Sequence, residues 1–217
     1  MRKVRVKICG ITNEKDLQLA ADSGADALGF VIGFPESPRN LELERAAHLI
    51  KKAALFVDTV AVVPASNSTL IEKVLRRCSP DAFQLHGEIV GPHQLPRGVR
   101  SRQLIKVVSA MTVANPKGLL KYIEGYDAVL VDSHQPGGLG GTGRTHDWKA
   151  SRAIREAIDP TPLILAGGLN AVNVTEAISI VRPYAVDVTT GVEKAPGIKD
   201  PQKVREFIEA VKRTFIP

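Results

Sequence analysis

The sequence predicts an α/β fold, a single (β/α)8 barrel, and three observations carry that reading. Eight short apolar runs recur along the chain, amphipathic stretches alternate with them, and glycine-rich turns follow the late runs. Each crossover helix returns the chain to the same end of the sheet, so the strands are parallel, and eight such units close most naturally into a barrel. The 217 residues lie near the compact limit for that architecture, and no linker or composition shift divides 1–217 into more than one domain. A doubly wound open sheet is the alternative; against it, the first turn, Cys9-Gly10-Ile11-Thr12, lacks a GxGxxG fingerprint.

The predicted strands are Val4–Cys9, Ala25–Ile32, Phe56–Val63, Ala82–His86, Gln103–Val108, Ala128–Asp132, Pro162–Ala166 and Ala185–Val188, mostly bounded by turn or polar residues. Helical periodicity is read over Glu14–Asp22, Leu41–Lys52, Asn67–Arg77, Val113–Glu124, Asp147–Ala157, Val172–Val181 and Pro201–Arg213, with a shorter stretch near Glu88–Leu95. Asn13 and Asn170 stand where a short polar side chain can satisfy the free amides of a first helical turn.

Composition narrows the partners. A formal charge of +6 suits an anionic ligand, but the basic residues are dispersed among acidic ones and only 5% of residues are aromatic, which argues against nucleic acid. No apolar run has the length of a membrane span or the form of a signal peptide, so a cytoplasmic protein with no membrane partner is expected. Cys9 and Cys78 lie far apart and lack metal-ligand spacing, which points to free thiols and no metal site.

In such a barrel the chemistry gathers where the strands end. Cys9 closes the first strand, His86 the fourth and Asp132 the sixth. Lys7 lies two positions before Cys9 and shares its strand face, where a cation favours the thiolate. An Asp closing the run Tyr126-Asp127-Ala128-Val129-Leu130-Val131 is either on the solvated rim or held for use, because an ionised carboxylate is costly in apolar surroundings. Gln84 shares a face with His86 and makes a polar lining with it. Glycines 137, 138, 140, 141 and 143 follow the sixth strand, Gly167-Gly168 the seventh, and Thr189-Thr190-Gly191-Val192 the eighth. Glycine lets backbone amides approach an anion closely, and phosphate commonly binds after strands seven and eight of these barrels.

Taken together, Lys7-Ile8-Cys9-Gly10-Ile11-Thr12, Gln84-Leu85-His86-Gly87, Val131-Asp132-Ser133, Gly140-Gly141-Thr142-Gly143-Arg144-Thr145-His146-Asp147-Trp148, Ala166-Gly167-Gly168-Leu169-Asn170, Ala185-Val186-Asp187-Val188-Thr189-Thr190-Gly191-Val192-Glu193 and Pro196-Gly197-Ile198-Lys199-Asp200 resemble phosphoribosylanthranilate isomerase over essentially the full length. The resemblance implies an Amadori rearrangement of N-(5-phosphoribosyl)anthranilate to 1-(2-carboxyphenylamino)-1-deoxyribulose 5-phosphate in tryptophan biosynthesis, with no metal or organic cofactor. It implies Asp132 as the general acid on the furanose ring oxygen and Cys9 as the general base at C2. Arg39 would lie near the anthranilate carboxylate, and Lys7, Gln84, His86 and Asp187 would belong to the substrate-binding surface, Asp187 as a support for the phosphate loop. The phosphate would rest on amides near Gly141, Gly143, Gly167, Gly168, Thr190 and Gly191. Ala166 stands where many relatives carry serine. The partner implied is a small phosphorylated substrate, and the protein is expected to act as a monomer or homodimer.

Three other readings stay open at this point. A histidine-pathway aminoaldose isomerase performs the same type of rearrangement, but that family resembles a pair of acidic catalysts at strands one and six, whereas strand one here offers Cys9. A Schiff-base aldolase would use Lys106 on strand five as its nucleophile. A phosphate-ligand sensor would keep the glycine turns without turnover.

Overall fold

The computed structural model describes residues 2–87, 91–110, 116–132 and 147–216. Eight parallel strands close into a barrel in chain order: β1 (Arg5–Cys9), β2 (Ala27–Val31), β3 (Asp58–Pro64), β4 (Ala82–His86), β5 (Gln103–Ser109), β6 (Ala128–Asp132), β7 (Leu163–Leu165) and β8 (Ala185–Val188), with β8 pairing back onto β1. The helices are α1 (Glu14–Ser23), α2 (Leu43–Lys51), α3 (Ser68–Cys78), α4 (Leu120–Ile123), α5 (Trp148–Ala157), α6 (Val174–Val181) and α7 (Pro201–Lys212). The open-sheet alternative is thereby excluded.

Side-chain alternation sorts the strands into two layers. Ala27, Val60, Ala82, Ile105, Leu130, Ile164 and Ala185 pack inside the barrel, while their neighbours, such as Val6, Ile8, Phe83, Leu85, Val129 and Val186, pack outward beneath the helices. The helices bury residues at the matching spacing: Val204, Phe207, Ile208 and Val211 lie on one face of α7. That helix starts cleanly because Pro201 fits the first turn and the Asp200 side chain accepts the amides of Gln202 and Lys203. Asn13 caps α1 as expected, accepting the Asp16 amide at 2.9 Å.

Four differences from the sequence reading are local. Asn170 is one turn early: its side chain accepts the amides of Val172 and Asn173, and α6 begins at Val174, whose amide bonds the Asn170 carbonyl. Within the expected helix Val113–Glu124, the described part is a 3₁₀ turn, Pro116–Leu119, running into the four residues of α4. Near Glu88–Leu95 the described residues form only a 3₁₀ turn, Pro92–Gln94. Two short antiparallel pairs, Arg2–Lys3 with Phe215–Ile216 and Glu193–Ala195 with Ile198–Lys199, were too brief to leave a periodic signal.

The end where strands begin is closed by a repeated clamp. Asp26, Asp81 and Asp127 precede β2, β4 and β6, and their carboxylates accept the amides of Val6, Thr59 and Leu104 on the preceding strands at 2.7, 2.8 and 2.7 Å. The fourth unit places Tyr184 at the corresponding position, where its ring lies 5.5 Å from the Arg5 guanidinium carbon.

Candidate active site

Strand parity turns Lys7, Cys9, Gln84, His86, Asp132, Ala166 and Asp187 to the barrel interior at the end where the strands finish. Cys9 is 6% exposed and its sulfur sits where a side chain on β2 would otherwise be: a Cβ on Gly29 would come within 2.6 Å of it. Glycine at that position is therefore what makes room for the thiol.

Register sets Lys7 directly beside Asp187, and the ammonium donates to the Asp187 carboxylate at 3.0 Å, both groups buried. Burial opposes the Lys7 charge, yet the Asp187 carboxylate and the nearby Cys9 thiol hold its pKa above the ordinary value. Asp187 is pushed up chiefly by burial, with the charge of Asp132 adding to the rise and Lys7 opposing it. Asp132 and Asp187 line one small concavity together with Gly167, Gly168, Thr190 and Gly191. Lys7 thus lies between the thiol, two positions on along the same strand face, and the concavity that Asp132 and Asp187 line.

The turns after β7 and β8 fit closely. Gly167 and Gly168 have φ of +87° and +66°, a conformation that glycine adopts without strain. A Cβ on Gly191 would run into the Leu169 carbonyl oxygen, so the two turns pack backbone to backbone. Gly141 and Gly143 lie outside the described residues.

Arg39 is engaged by the protein's own side chains. Its Nε and Nη2 donate to the two carboxylate oxygens of Glu193 at 2.9 and 2.6 Å, and Nη2 also reaches the Thr190 hydroxyl at 3.3 Å. One edge of the guanidinium fork therefore holds a carboxylate of the protein itself. Gln84 Nε2 lies 3.1 Å from His86 Nε2, and the Gln84 carbonyl oxygen is buried without a partner among the described residues. An unpaired buried acceptor beside a histidine is suited to receive a ligand hydroxyl. Phe34 meets the His86 ring edge-on at 5.8 Å.

Lys106 does not join this group. It shares parity with Leu104 and Val108 of the outer layer, and its ammonium donates to the Gly87 carbonyl at 3.1 Å. Burial pulls its pKa down to about 8, but the strand face is wrong for a nucleophile in the barrel mouth. A broader concavity, beside the exposed Leu55 and Phe56, opens where β3 begins and contains none of the predicted site residues. Among the described residues no three His, Cys, Asp or Glu side chains gather in a metal-ligating group, and no helix is long and apolar enough to cross a membrane.

Residues 6–210 match the profile of the family described as N-(5'phosphoribosyl)anthranilate (PRA) isomerase. The chain belongs to this family. It is 44% identical to N-(5'-phosphoribosyl)anthranilate isomerase of Thiobacillus denitrificans over 212 residues, covering 96% of this chain and 98% of the relative. The phosphoribosyl anthranilate isomerase structure from Thermotoga maritima superposes with a TM-score of 0.84 at 39% identity, covering 97% of this chain and 99% of the other. A second isomerase structure, in complex with reduced 1-(o-carboxyphenylamino)-1-deoxyribulose 5-phosphate, gives a TM-score of 0.81 at 37% identity, with coverage of 97% and 99%.

Sequence reasoning gave no role to Gly29, Glu193 or Lys199. Glu193 and Lys199 stood inside the quoted segments after the last strand, but their spacing carries no periodic signal. Their burial, at 6% and 1% exposure, appears only once the hairpin folds across the rim.

Proposed function

We propose that this chain catalyses the Amadori rearrangement of N-(5'-phosphoribosyl)anthranilate, with Asp132 as general acid and Cys9 as general base. The observation that carries the reading is the arrangement just described: Lys7 lies between the thiol and Asp187, and Asp187 shares its concavity with Asp132 and the two glycine turns. Asp132 donates its proton to the furanose ring oxygen as the C1–O bond breaks, and the anilino nitrogen lone pair forms an iminium. The Cys9 thiolate then removes the C2 proton, the C–H electrons form a C1=C2 bond, and the nitrogen regains its lone pair as an enolamine. Tautomerisation delivers the ketone. Acid and base are separate groups because each step moves a proton at a different atom.

The phosphate sits against Gly167, Gly168, Thr190 and Gly191, with Gly141 and Gly143 on the loop after β6. Gln84 and His86 face the sugar hydroxyls, and the Nη1 donors of Arg39 take the anthranilate carboxylate while its other edge stays on Glu193. No cofactor enters these steps. The chain works in the cytoplasm as a monomer or homodimer, without a nucleic-acid or membrane partner. The deciding assay follows the loss of anthranilate-sugar fluorescence on adding the purified protein, with the histidine-pathway aminoaldose as a parallel substrate. Turnover of the first supports the reading; turnover of the second alone overturns it.

A further inference from the structure

We infer that Lys199 is a positioning residue for proton transfer at Cys9, tying the thiol-bearing strand end and the turn after β8 into one rigid unit and lending the thiolate a second buried cation. The inference rests on Cys9 being the base. Lys199 follows the last strand by eleven positions, yet its ammonium is fully buried. It donates to the Cys9 carbonyl oxygen at 2.5 Å, to Glu193 Oε1 at 3.0 Å and to the Thr189 carbonyl oxygen at 3.5 Å. These three acceptors match the three hydrogens of a charged ammonium. One of these acceptors is the peptide of the proposed base, and another belongs to the turn proposed to hold phosphate.

The hairpin bearing Lys199 is fixed from its other side. Its Lys199 amide donates to the buried Asp16 carboxylate at 2.8 Å, and the Thr12 hydroxyl donates to the Gly197 carbonyl at 2.6 Å. Neither bond involves a group assigned to the reaction, so both serve to hold the hairpin over the end of β1. Charge completes the argument. Lys199 bonds the Cys9 peptide itself, Lys7 shares its strand face and Arg39 meets Lys199 across Glu193, so three cations act on the thiol by charge, with Glu193 and Asp187 as their anions. Burial lowers the Lys199 pKa, and Glu193 and Cys9 act against that fall. Glu193 is held below its ordinary value despite burial, because Arg39 and Lys199 both bond it. Removing the cation or removing the anion should therefore move the thiol in opposite directions.

The test uses the full chain carrying Cys78→Ser, which leaves Cys9 as the one thiol, and reads the pH midpoint of iodoacetamide alkylation together with the pH profile of kcat/KM. Lys199→Met is expected to raise the midpoint and the acid limb by about one unit. Its kcat should fall about tenfold or more while KM changes less than about threefold. Glu193→Gln is expected to lower the midpoint, and Lys199→Arg to restore it toward the parent value. Midpoints that stay put, or that move the same way in both variants, overturn the inference. If Lys199→Met fails to fold, Glu193→Gln decides alone, since an unmoved or raised midpoint there is equally fatal. Cys9→Ser separates the two levels: turnover close to that of the parent brings down the assignment of the base, whereas an inactive Cys9→Ser beside unmoved midpoints brings down only the role of Lys199.

Discussion

Where the barrel strands begin, Asp26, Asp81 and Asp127 each meet a backbone amide of the preceding strand; where they finish, Lys7 pairs with Asp187, and Arg39 and Lys199 share Glu193. The first arrangement recurs at β2, β4 and β6, and the three clamps share no residue. The second consists of a buried ion pair and a buried triad, in which removing an anion, or either member of the pair, leaves a charge without its partner in a low-dielectric surrounding. Losses at the first end are expected to be local and additive, and at the second coupled. One end of the molecule holds the chain together, and the other holds groups in place for a reaction.

The sharpest way to break that contrast is to truncate the proposed acid and base. Cys9→Ser and Asp132→Ala are each expected to lower kcat at least about a hundredfold, the lower range for acid–base participation, with little change in thermal midpoint. Steady-state turnover beside a melting curve checks this; turnover near that of the parent removes the residue from the mechanism. A middle-sized effect belongs to the opposite end. Asp127→Ala deletes a charge-assisted bond to the Leu104 amide and should cost about 1–2 kcal/mol of stability in a denaturant titration while leaving kcat unchanged.

The smallest effect is a pH dependence at neither end, from Lys106 in the outer layer. Burial depresses its pKa to about 8 from the model-compound value of 10.5, so the unfolded chain binds the proton more readily than the folded one between those values. Stability from this group is therefore present above the upper value, falls as pH drops toward about 8, and stays at the lower level below it. Replacing the residue by methionine should raise the thermal midpoint relative to the parent more at neutral pH than in strong alkali, with ordinary calorimetry as the readout. An equal shift at both pH values would show that the buried charge is not the cause.

Most of the fold was legible because it depends on repetition. The eight apolar runs fall on the eight strands with boundaries displaced by a few residues at most, since a parallel strand buried on both faces is continuous in hydrophobicity. The weaker helices were over-extended where Pro92 and Pro116 turn the chain into 3₁₀ geometry. At the site, Cys9, Asp132, Gln84 and His86 were legible because strand ends and two-residue parity suffice to point them inward, whereas Asp187 was named only through the family resemblance. The engagement of Arg39 by Glu193 could not, because two loops separated by more than a hundred residues in sequence meet only through the closing of the barrel. Gly29 was invisible for a related reason: its importance lies in the sulfur of a neighbouring strand, and nothing in its own surroundings along the chain marks it.

The join between β8 and β1 is the one place in a closed sheet of this kind where adjacent strands have no short covalent link. Here residues 2–3 lie against 215–216 at one end of that join, and the hairpin of residues 193–199 is fastened over the first turn at the other. Stitched at top and bottom, the seam is a poor place for the cylinder to gape. The strand that carries Cys9 is thereby fastened at both of its ends.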